Sequence, residues 1–236
     1  MEMVMHTSES RGHANLGWLD THNTFSFGNY RNPERSNFGA LSVLNDDFIF
    51  GGMGFNQLAR ENIEMVLVPV KGGLVHKDNL GNSQIINEYD IQVMSAGKGI
   101  VHSEINRYSD RITNFLQIWI RPEKKNVKPR YEQMTPDPEG RRNRLQQVIS
   151  PSPDDEGLWI NQQAWFYLGD FDAGNKYTYT LKDNQNGVYI FVIDGEIRVE
   201  DQKLIRRDGL GLWNTGNILL ESENMSRILL MEVPMQ

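Results

Sequence analysis

Cysteine is the first residue type that this 236-residue sequence lacks. Its absence excludes disulfide bonds, thiolate zinc sites and cysteine nucleophiles. The sequence also lacks an apolar run long enough for a membrane helix, and residues 1–11 lack the apolar core of a secretion signal. We therefore expect a cytoplasmic protein, because a reducing compartment suits a chain without cysteine.

Positive charge is also scarce. The sequence has 24 lysines and arginines against 31 aspartates and glutamates, which gives a formal net charge of −7 at pH 7. Such a balance does not provide the broad basic surface that binds phosphate backbones. We expect neither a nucleic acid nor a membrane as a direct partner.

Histidine is rare and confined to the first half of the chain. The five histidines all precede residue 103: His6, His13, His22, His76 and His102. The second half therefore cannot provide a histidine-based metal site of its own. We expect His13 and His22 to be polar surface residues, or residues that support a ligand without binding a metal themselves, as ordinary histidines often are.

Patterns that predict β-strands are abundant in the sequence. Met65–Val70 is apolar on both faces, as expected for a strand buried between two layers, and the glycines that follow it predict a hairpin. This unit recurs: Val188–Ile193 matches Met65–Val70, and Gly216–Glu221 matches Gly99–Glu104, which places Leu219 at the position of His102. Two copies predict an all-β protein made of two small barrels or sandwiches in tandem.

A change of composition separates the two copies. Residues 121–144 contain four prolines and twelve charged residues, a composition typical of a linker with little core. We predict an N-terminal domain at residues 1–122, a linker or crossing segment at 123–147 and a C-terminal domain at 148–236.

His102-Ser-Glu104 carries the clearest chemistry in the sequence. Residues i and i+2 of a strand face the same side, so His102 and Glu104 are predicted to point into the N-terminal barrel while Ser103 points out. A histidine and a carboxylate side by side are half of a metal site.

These motifs resemble the pirin family, whose members are bicupins. The resemblance runs over nearly the whole chain and rests on Gly17–Asp20, Thr24–Phe27, Phe38–Leu41, Val43–Asp46, Gly73–Asn82, Met94–Glu104, Leu116–Trp119 and Tyr131–Gln133. It implies two tandem cupin (jelly-roll-like) β-barrels, with a divalent metal such as iron in the N-terminal one. That metal is held by a His-x-His pair on one strand and a His-x-Glu pair on another. Some members degrade the flavonol quercetin as dioxygenases, and others act as protein partners in transcriptional regulation.

Only half of the family's metal-binding motif is present. His102 and Glu104 match the second pair, whereas Leu58 and Arg60 stand where the resemblance implies the His-x-His pair. Leucine cannot bind a metal, arginine stays protonated, and a catalytic iron site needs about three protein ligands. We therefore expect no metal, no cofactor and no catalytic residue. The expected pocket is lined by Leu58, Arg60, Glu64, His76, His102 and Glu104.

Within that pocket we predict an ion pair between Arg60 and Glu104; the alternative is a collapsed or wet pocket in which Arg60 extends to solvent. A buried carboxylate without a metal or a partner is costly, and a bidentate arginine compensates it. Glu64 is the weak candidate for a substitute metal ligand. His76 is expected to be a hydrogen-bonded structural residue rather than a ligand.

The favoured function is that of a non-enzymatic binding or regulatory protein. Its partner would be a small anionic or aromatic molecule in the N-terminal barrel, or another protein. Two alternatives remain open at this stage. One is a metal-dependent quercetin (flavonol) dioxygenase-like oxidoreductase that uses His102 and Glu104 with other ligands. The other is a metal-free enzyme in which one of these two residues is a general acid or base.

Overall fold

The computed structural model describes residues 1–235, and they fold almost entirely into β-strands. Short 3-10 turns lie at Ser8–Ser10, Pro33–Arg35 and Pro138–Arg141. No helix of these residues is long and apolar enough to cross a membrane. The strands are β1 (Glu2–His6), β2 (Gly12–Asn15), β3 (Leu19–Asn23), β4 (Leu41–Ile49), β5 (Gly54–Arg60), β6 (Glu64–Lys71), β7 (Gly73–Asp78), β8 (Ser83–Asn87), β9 (Ile91–Ser95), β10 (Ile100–Asn106), β11 (Thr113–Ile120), β12 (Arg130–Met134), β13 (Leu145–Ser150), β14 (Leu158–Trp159), β15 (Trp165–Phe171), β16 (Lys176–Thr180), β17 (Asn186–Asp194), β18 (Glu196–Val199), β19 (Gln202–Ile205), β20 (Gly209–Trp213), β21 (Asn217–Glu221) and β22 (Ser226–Pro234).

The N-terminal domain consists of two antiparallel sheets. The larger has the strand order β12-β9-β6-β11-β4-β3-β2, and the smaller has the order β5-β10-β7-β8. Apolar side chains from both sheets meet between them, among them Leu67, Leu74 and Phe115. The alternation of inward and outward residues along each strand thus encloses a barrel interior.

The C-terminal domain repeats this arrangement. A seven-stranded sheet, β1-β20-β17-β22-β15-β13-β14, faces a four-stranded sheet, β16-β21-β18-β19. A buried apolar cluster that includes Val188, Leu210 and Leu220 lies between them. The prediction of an all-β bicupin with two tandem cupin barrels is confirmed.

The two large sheets pack face to face. One buried cluster contains residues of both, for example Val66 and Ile118 from the first domain and Phe166 and Met231 from the second. Their apolar side chains each contribute about 1.5–3 kcal/mol by leaving water. The strands of the large sheets are therefore covered on both faces, which explains the apolar runs in the sequence.

Several strand pairings cross the predicted domain boundaries. Residues 2–6 form β1 and pair with β20 of the second domain, from Glu2 opposite Trp213 to His6 opposite Gly209. Within the predicted linker, β12 joins the first domain by pairing with β9, and β13 already begins at Leu145. Local composition could not reveal these pairings, because each one joins segments that are far apart in sequence.

The repeat register also differs by one residue from the prediction. Leu219 is half-buried, whereas its neighbours Ile218 and Leu220 are buried in the C-terminal core. Val199 follows the turn glycine Gly195 by four residues, as His76 follows Gly72. His76 lies opposite Glu104 and Val199 lies opposite Leu220, so Leu220 corresponds to Glu104 and Ile218 to His102. A one-residue slip in a strand reverses the face of every side chain.

Candidate functional site

The smaller sheet of the N-terminal domain brings the candidate residues together. Across β5 and β10, Leu58 lies opposite His102 and Arg60 lies opposite Ile100. Across β7 and β10, Asp78 lies opposite His102 and His76 lies opposite Glu104. The polar side chains therefore cluster on the inner face of one sheet.

His102 and Glu104 both point inward, as the alternation predicts. Each is 1% exposed, whereas Val101 is 39% exposed. His102 Nε2 and Glu104 Oε1 are 3.5 Å apart, and no side-chain nitrogen or oxygen of either residue has a hydrogen-bond partner among residues 1–235. Burial raises the pKa of Glu104 to about 8, and Asp47 adds to the rise. Burial lowers the pKa of His102 to about 4.

The predicted ion pair between Arg60 and Glu104 is wrong. Arg60 Nη1 donates to the Ala59 carbonyl oxygen at 3.0 Å, and the guanidinium carbon lies 4.9 Å from the centre of a Trp119 ring. The physical reason is that a buried carboxyl can become neutral by taking up a proton, so Glu104 does not need a cation beside it. The Arg60 guanidinium instead makes a cation–π contact with the Trp119 ring.

Glu64 also lies elsewhere than predicted. Ser95 Oγ donates to its Oε2 at 2.6 Å, and Asn161 Nδ2 of the second domain donates to its Oε1 at 3.1 Å. The carboxylate thus faces the domain interface and not the pocket. Asn62, with a φ of +50°, lies in the turn between β5 and β6 and breaks the alternation that linked Glu64 to Arg60.

His76 is held by its neighbours, as expected. Its Nε2 lies 3.0 Å from Asp78 Oδ2, and both side chains are fully buried. Its ring stacks on Tyr131 with 4.3 Å between centroids, while the ring of His102 is 5.8 Å away. Asp78 and Tyr131 are not among the pocket residues that the sequence predicts. The i, i+2 alternation from His76 could have found Asp78, but nothing local places β12 against β7.

Further polar residues line the same barrel. Thr21 Oγ1 donates to Asp47 Oδ1 at 2.5 Å, and burial raises the pKa of Asp47 to about 7. The side chains of Asn45 and Gln92 are buried, and their polar atoms have no partner in the described chain. The C-terminal barrel holds a large apolar cluster in the equivalent space. This contrast identifies the N-terminal barrel as the candidate site.

The donor set does not fit the four-ligand metal centre that the family resemblance implies. His102 and Glu104 offer one nitrogen and one carboxylate oxygen at 3.5 Å. Leu58 has no donor atom, Arg60 carries a positive charge, and the Nε2 atom of His76 is engaged by Asp78. A catalytic centre needs about three protein ligands with open positions beside them.

Comparisons with known proteins cover nearly the whole chain. Residues 4–120 match the family model described as Pirin, and residues 147–233 match the one described as Quercetinase C-terminal cupin domain. The chain is 35% identical to a protein of Escherichia coli (strain K12) named Quercetin 2,3-dioxygenase, over 98% of this chain and 99% of that protein. It is 33% identical to a Pirin-like protein of Caulobacter vibrioides, over 94% and 95%.

A solved structure is similar over the same extent. It is described as bacterial pirin YhhW in complex with nickel(II) from Escherichia coli. Its TM-score to this chain is 0.93 at 33% sequence identity, and the match covers 99% of both chains. The backbone that carries Leu58 and Arg60 thus lies in a fold that this chain shares with the nickel(II)-bound structure.

Proposed function

This chain belongs to the pirin family, and we propose that it is a binding or regulatory member of that family rather than a quercetin dioxygenase. The observation that carries the proposal is the pair Leu58 and Arg60 on β5, the strand beside His102. These side chains supply no lone pair to a metal, so oxygen chemistry at a metal centre has too few ligands here.

A small anionic, planar molecule is the ligand that we propose for the rim of the N-terminal barrel. Arg60 is half-buried there, rests on Trp119, and has a buried Nε with no hydrogen-bond partner in residues 1–235. A ligand carboxylate would gain charge-assisted hydrogen bonds from this guanidinium. A protein partner is the second kind of partner that the family resemblance supports. We also infer a cytoplasmic location, which a chain without cysteine suits.

The alternative function is a metal-dependent quercetin dioxygenase-like activity. It is favoured by the relatives named Quercetin 2,3-dioxygenase and by the unpartnered polar atoms of His102 and Glu104. In that case His76, whose Nδ1 also has no partner among the described residues, would be a candidate for the third ligand.

The test restores the missing ligands. We expect wild-type protein to consume no oxygen with quercetin, and the double variant Leu58→His, Arg60→His to hold about one more equivalent of nickel or iron than wild type. Ala59→His is the matched control, because Ala59 is exposed and lies between the two positions on the outer face of β5. Metal is measured by plasma mass spectrometry on untagged protein after a chelator wash, and oxygen uptake by an electrode.

Two outcomes would overturn the proposal. One is oxygen uptake by wild type on quercetin that His102→Gln abolishes. The other is a near-stoichiometric metal in wild type that His102→Gln removes, since that metal would have to lie in the barrel. A dissociation constant for benzoate or salicylate that Arg60→Met leaves unchanged would refute the proposed ligand position alone.

A further inference from the structure

We propose that His13, Asp20 and His22 form a surface binding site for a divalent first-row transition-metal ion. The three residues lie on the hairpin of β2 and β3, away from the barrel interior. His13 is directly opposite His22, and Asp20 precedes His22 by two residues on the same face of β3. The antiparallel register therefore places two imidazoles and a carboxylate side by side.

The distances suit a single ion. His13 Nε2 is 3.0 Å from Asp20 Oδ1, and His22 Nδ1 is 3.6 Å from the same oxygen. All three donor atoms lie within 4.8 Å of one another. Metal bonds of about 2.0–2.1 Å in tetrahedral geometry place ligand atoms roughly 3.3 Å apart. Small side-chain rotations would therefore bring the three atoms onto one ion without movement of the backbone.

The neighbouring contacts orient the donors. Asn15 Nδ2 donates to Asp20 Oδ2 at 3.0 Å, which leaves the other carboxylate oxygen directed at the two imidazoles. The histidine rings stack with 4.6 Å between their centroids. A hydrogen bond from the outer shell that fixes a ligating carboxylate is a regular feature of metal sites.

A plain histidine–aspartate contact explains only part of this arrangement. Asp20 accepts a hydrogen bond from His13, but the 3.6 Å to His22 is too long for one. His22 Nδ1 is buried and has no hydrogen-bond partner in the part of the chain that the structure describes. A bound ion would engage all three atoms at once.

The donor set and its exposure define the ligand class. Two imidazole nitrogens and one carboxylate oxygen suit zinc, nickel or copper. The side chains of His13, Asp20 and His22 are 53%, 27% and 34% exposed, so an ion can enter from solvent and keep a coordination position open. Arg11 lies near His22, and its positive charge opposes a cation there. Asp46 Oδ2 lies 3.8 Å from Arg11 Nη2 and offsets that charge.

Zinc titration of the untagged, metal-stripped full chain tests the site. We expect isothermal titration calorimetry to give saturable one-to-one binding, and cobalt substituted for zinc to give the visible absorption of a tetrahedral centre. His13→Gln and His22→Gln should each weaken binding at least about tenfold. His102→Gln should leave it unchanged, because that variant alters only the barrel.

Three results would overturn the assignment. They are the absence of saturable binding in wild type, binding that His13→Gln and His22→Gln both leave intact, and binding that His102→Gln removes. The side chains of His13 and His22 lie at the surface, and circular dichroism verifies that all three variants are folded. The outcome is independent of the proposed function, because the barrel residues are unchanged in the two surface variants.

Discussion

His6 shows how the domain interface controls the protonation of one side chain. It is the last residue of β1, is 5% exposed, and its Nδ1 lies 2.8 Å from the Tyr189 hydroxyl oxygen. Burial, and secondarily the charge of Arg35, lowers the pKa of His6 from 6.5 to about 4. All five histidines lie in the first half of the sequence, yet His6 packs against Tyr189 of the second domain.

We expect stability to fall on acidification because of His6. Between pH 6.5 and 4 the unfolded chain binds a proton at this residue that the folded chain does not, so the free energy of unfolding decreases as the pH falls. From pH 7.5 to 5 this histidine accounts for a loss of about 2 kcal/mol. Urea unfolding of wild type and His6→Gln at both pH values measures the difference.

The comparison with wild type isolates the contribution of His6. His6→Gln should lose about 2 kcal/mol less stability between the two pH values than wild type does. Equal losses in the two proteins would show that His6 does not carry the effect.

Arg60 is the second residue whose surroundings lead to a prediction. Since it makes no ion pair with Glu104, Arg60→Met should lower the free energy of unfolding by less than about 1 kcal/mol, the value of its contact with Trp119. Arg207→Met is the contrast. Arg207 is buried, donates to Asn114 Oδ1 at 2.9 Å and lies 3.2 Å from Asp46, so its loss should cost about 3 kcal/mol or more.

Urea unfolding at pH 7 compares these two arginine variants. A cost for Arg60→Met as large as that for Arg207→Met would mean that Arg60 compensates a buried charge after all, and it would restore the ion pair expected from the sequence.

At the scale of the elements, Gly195 shows where backbone geometry requires glycine. It lies in the turn between β17 and β18 at a φ of +79°, and a Cβ there would collide with the Met225 carbonyl oxygen. Gly174 has nearly the same φ, +82°, but open space around it. Alanine costs about 1–2 kcal/mol at either position because of the left-handed backbone. Only Gly195→Ala adds a steric cost, of about 1–3 kcal/mol.

Thermal or urea unfolding of Gly195→Ala and Gly174→Ala separates the two costs. We expect Gly195→Ala to be the less stable variant by at least about 1 kcal/mol. Equal destabilisation would indicate that the turn shifts to make room for the methyl group.

The elements also show what sequence patterns can and cannot predict. The apolar run of β6 and the alternation in β10 were readable, because burial on one or two faces leaves a local period. The face of Glu64 was not, since the turn at Asn62 interrupts that period. The orientation of Arg60 was equally hidden, because Trp119 lies on β11, far away in sequence.

For the whole molecule, charge at the domain interface joins the two barrels. Asp46 on β4 of the first domain lies 3.2 Å from Arg207 Nε of the second and 3.8 Å from Arg11 Nη2. Asn114 Nδ2 also donates to Asp46 Oδ1, at 2.7 Å. Two buried cations therefore share one buried carboxylate.

Asp46→Asn should destabilise the protein by about 3–5 kcal/mol, because it removes the carboxylate that pairs with both Arg11 and Arg207. Asp170→Asn is the matched control. Asp170 also pairs with two arginines, at 2.6 Å and 2.8 Å, but at 27% side-chain exposure, where solvent screens the charges. Urea unfolding at pH 7 should give a distinctly smaller loss for Asp170→Asn. If both variants lose the same stability, burial of the Asp46 cluster does not govern the coupling of the domains.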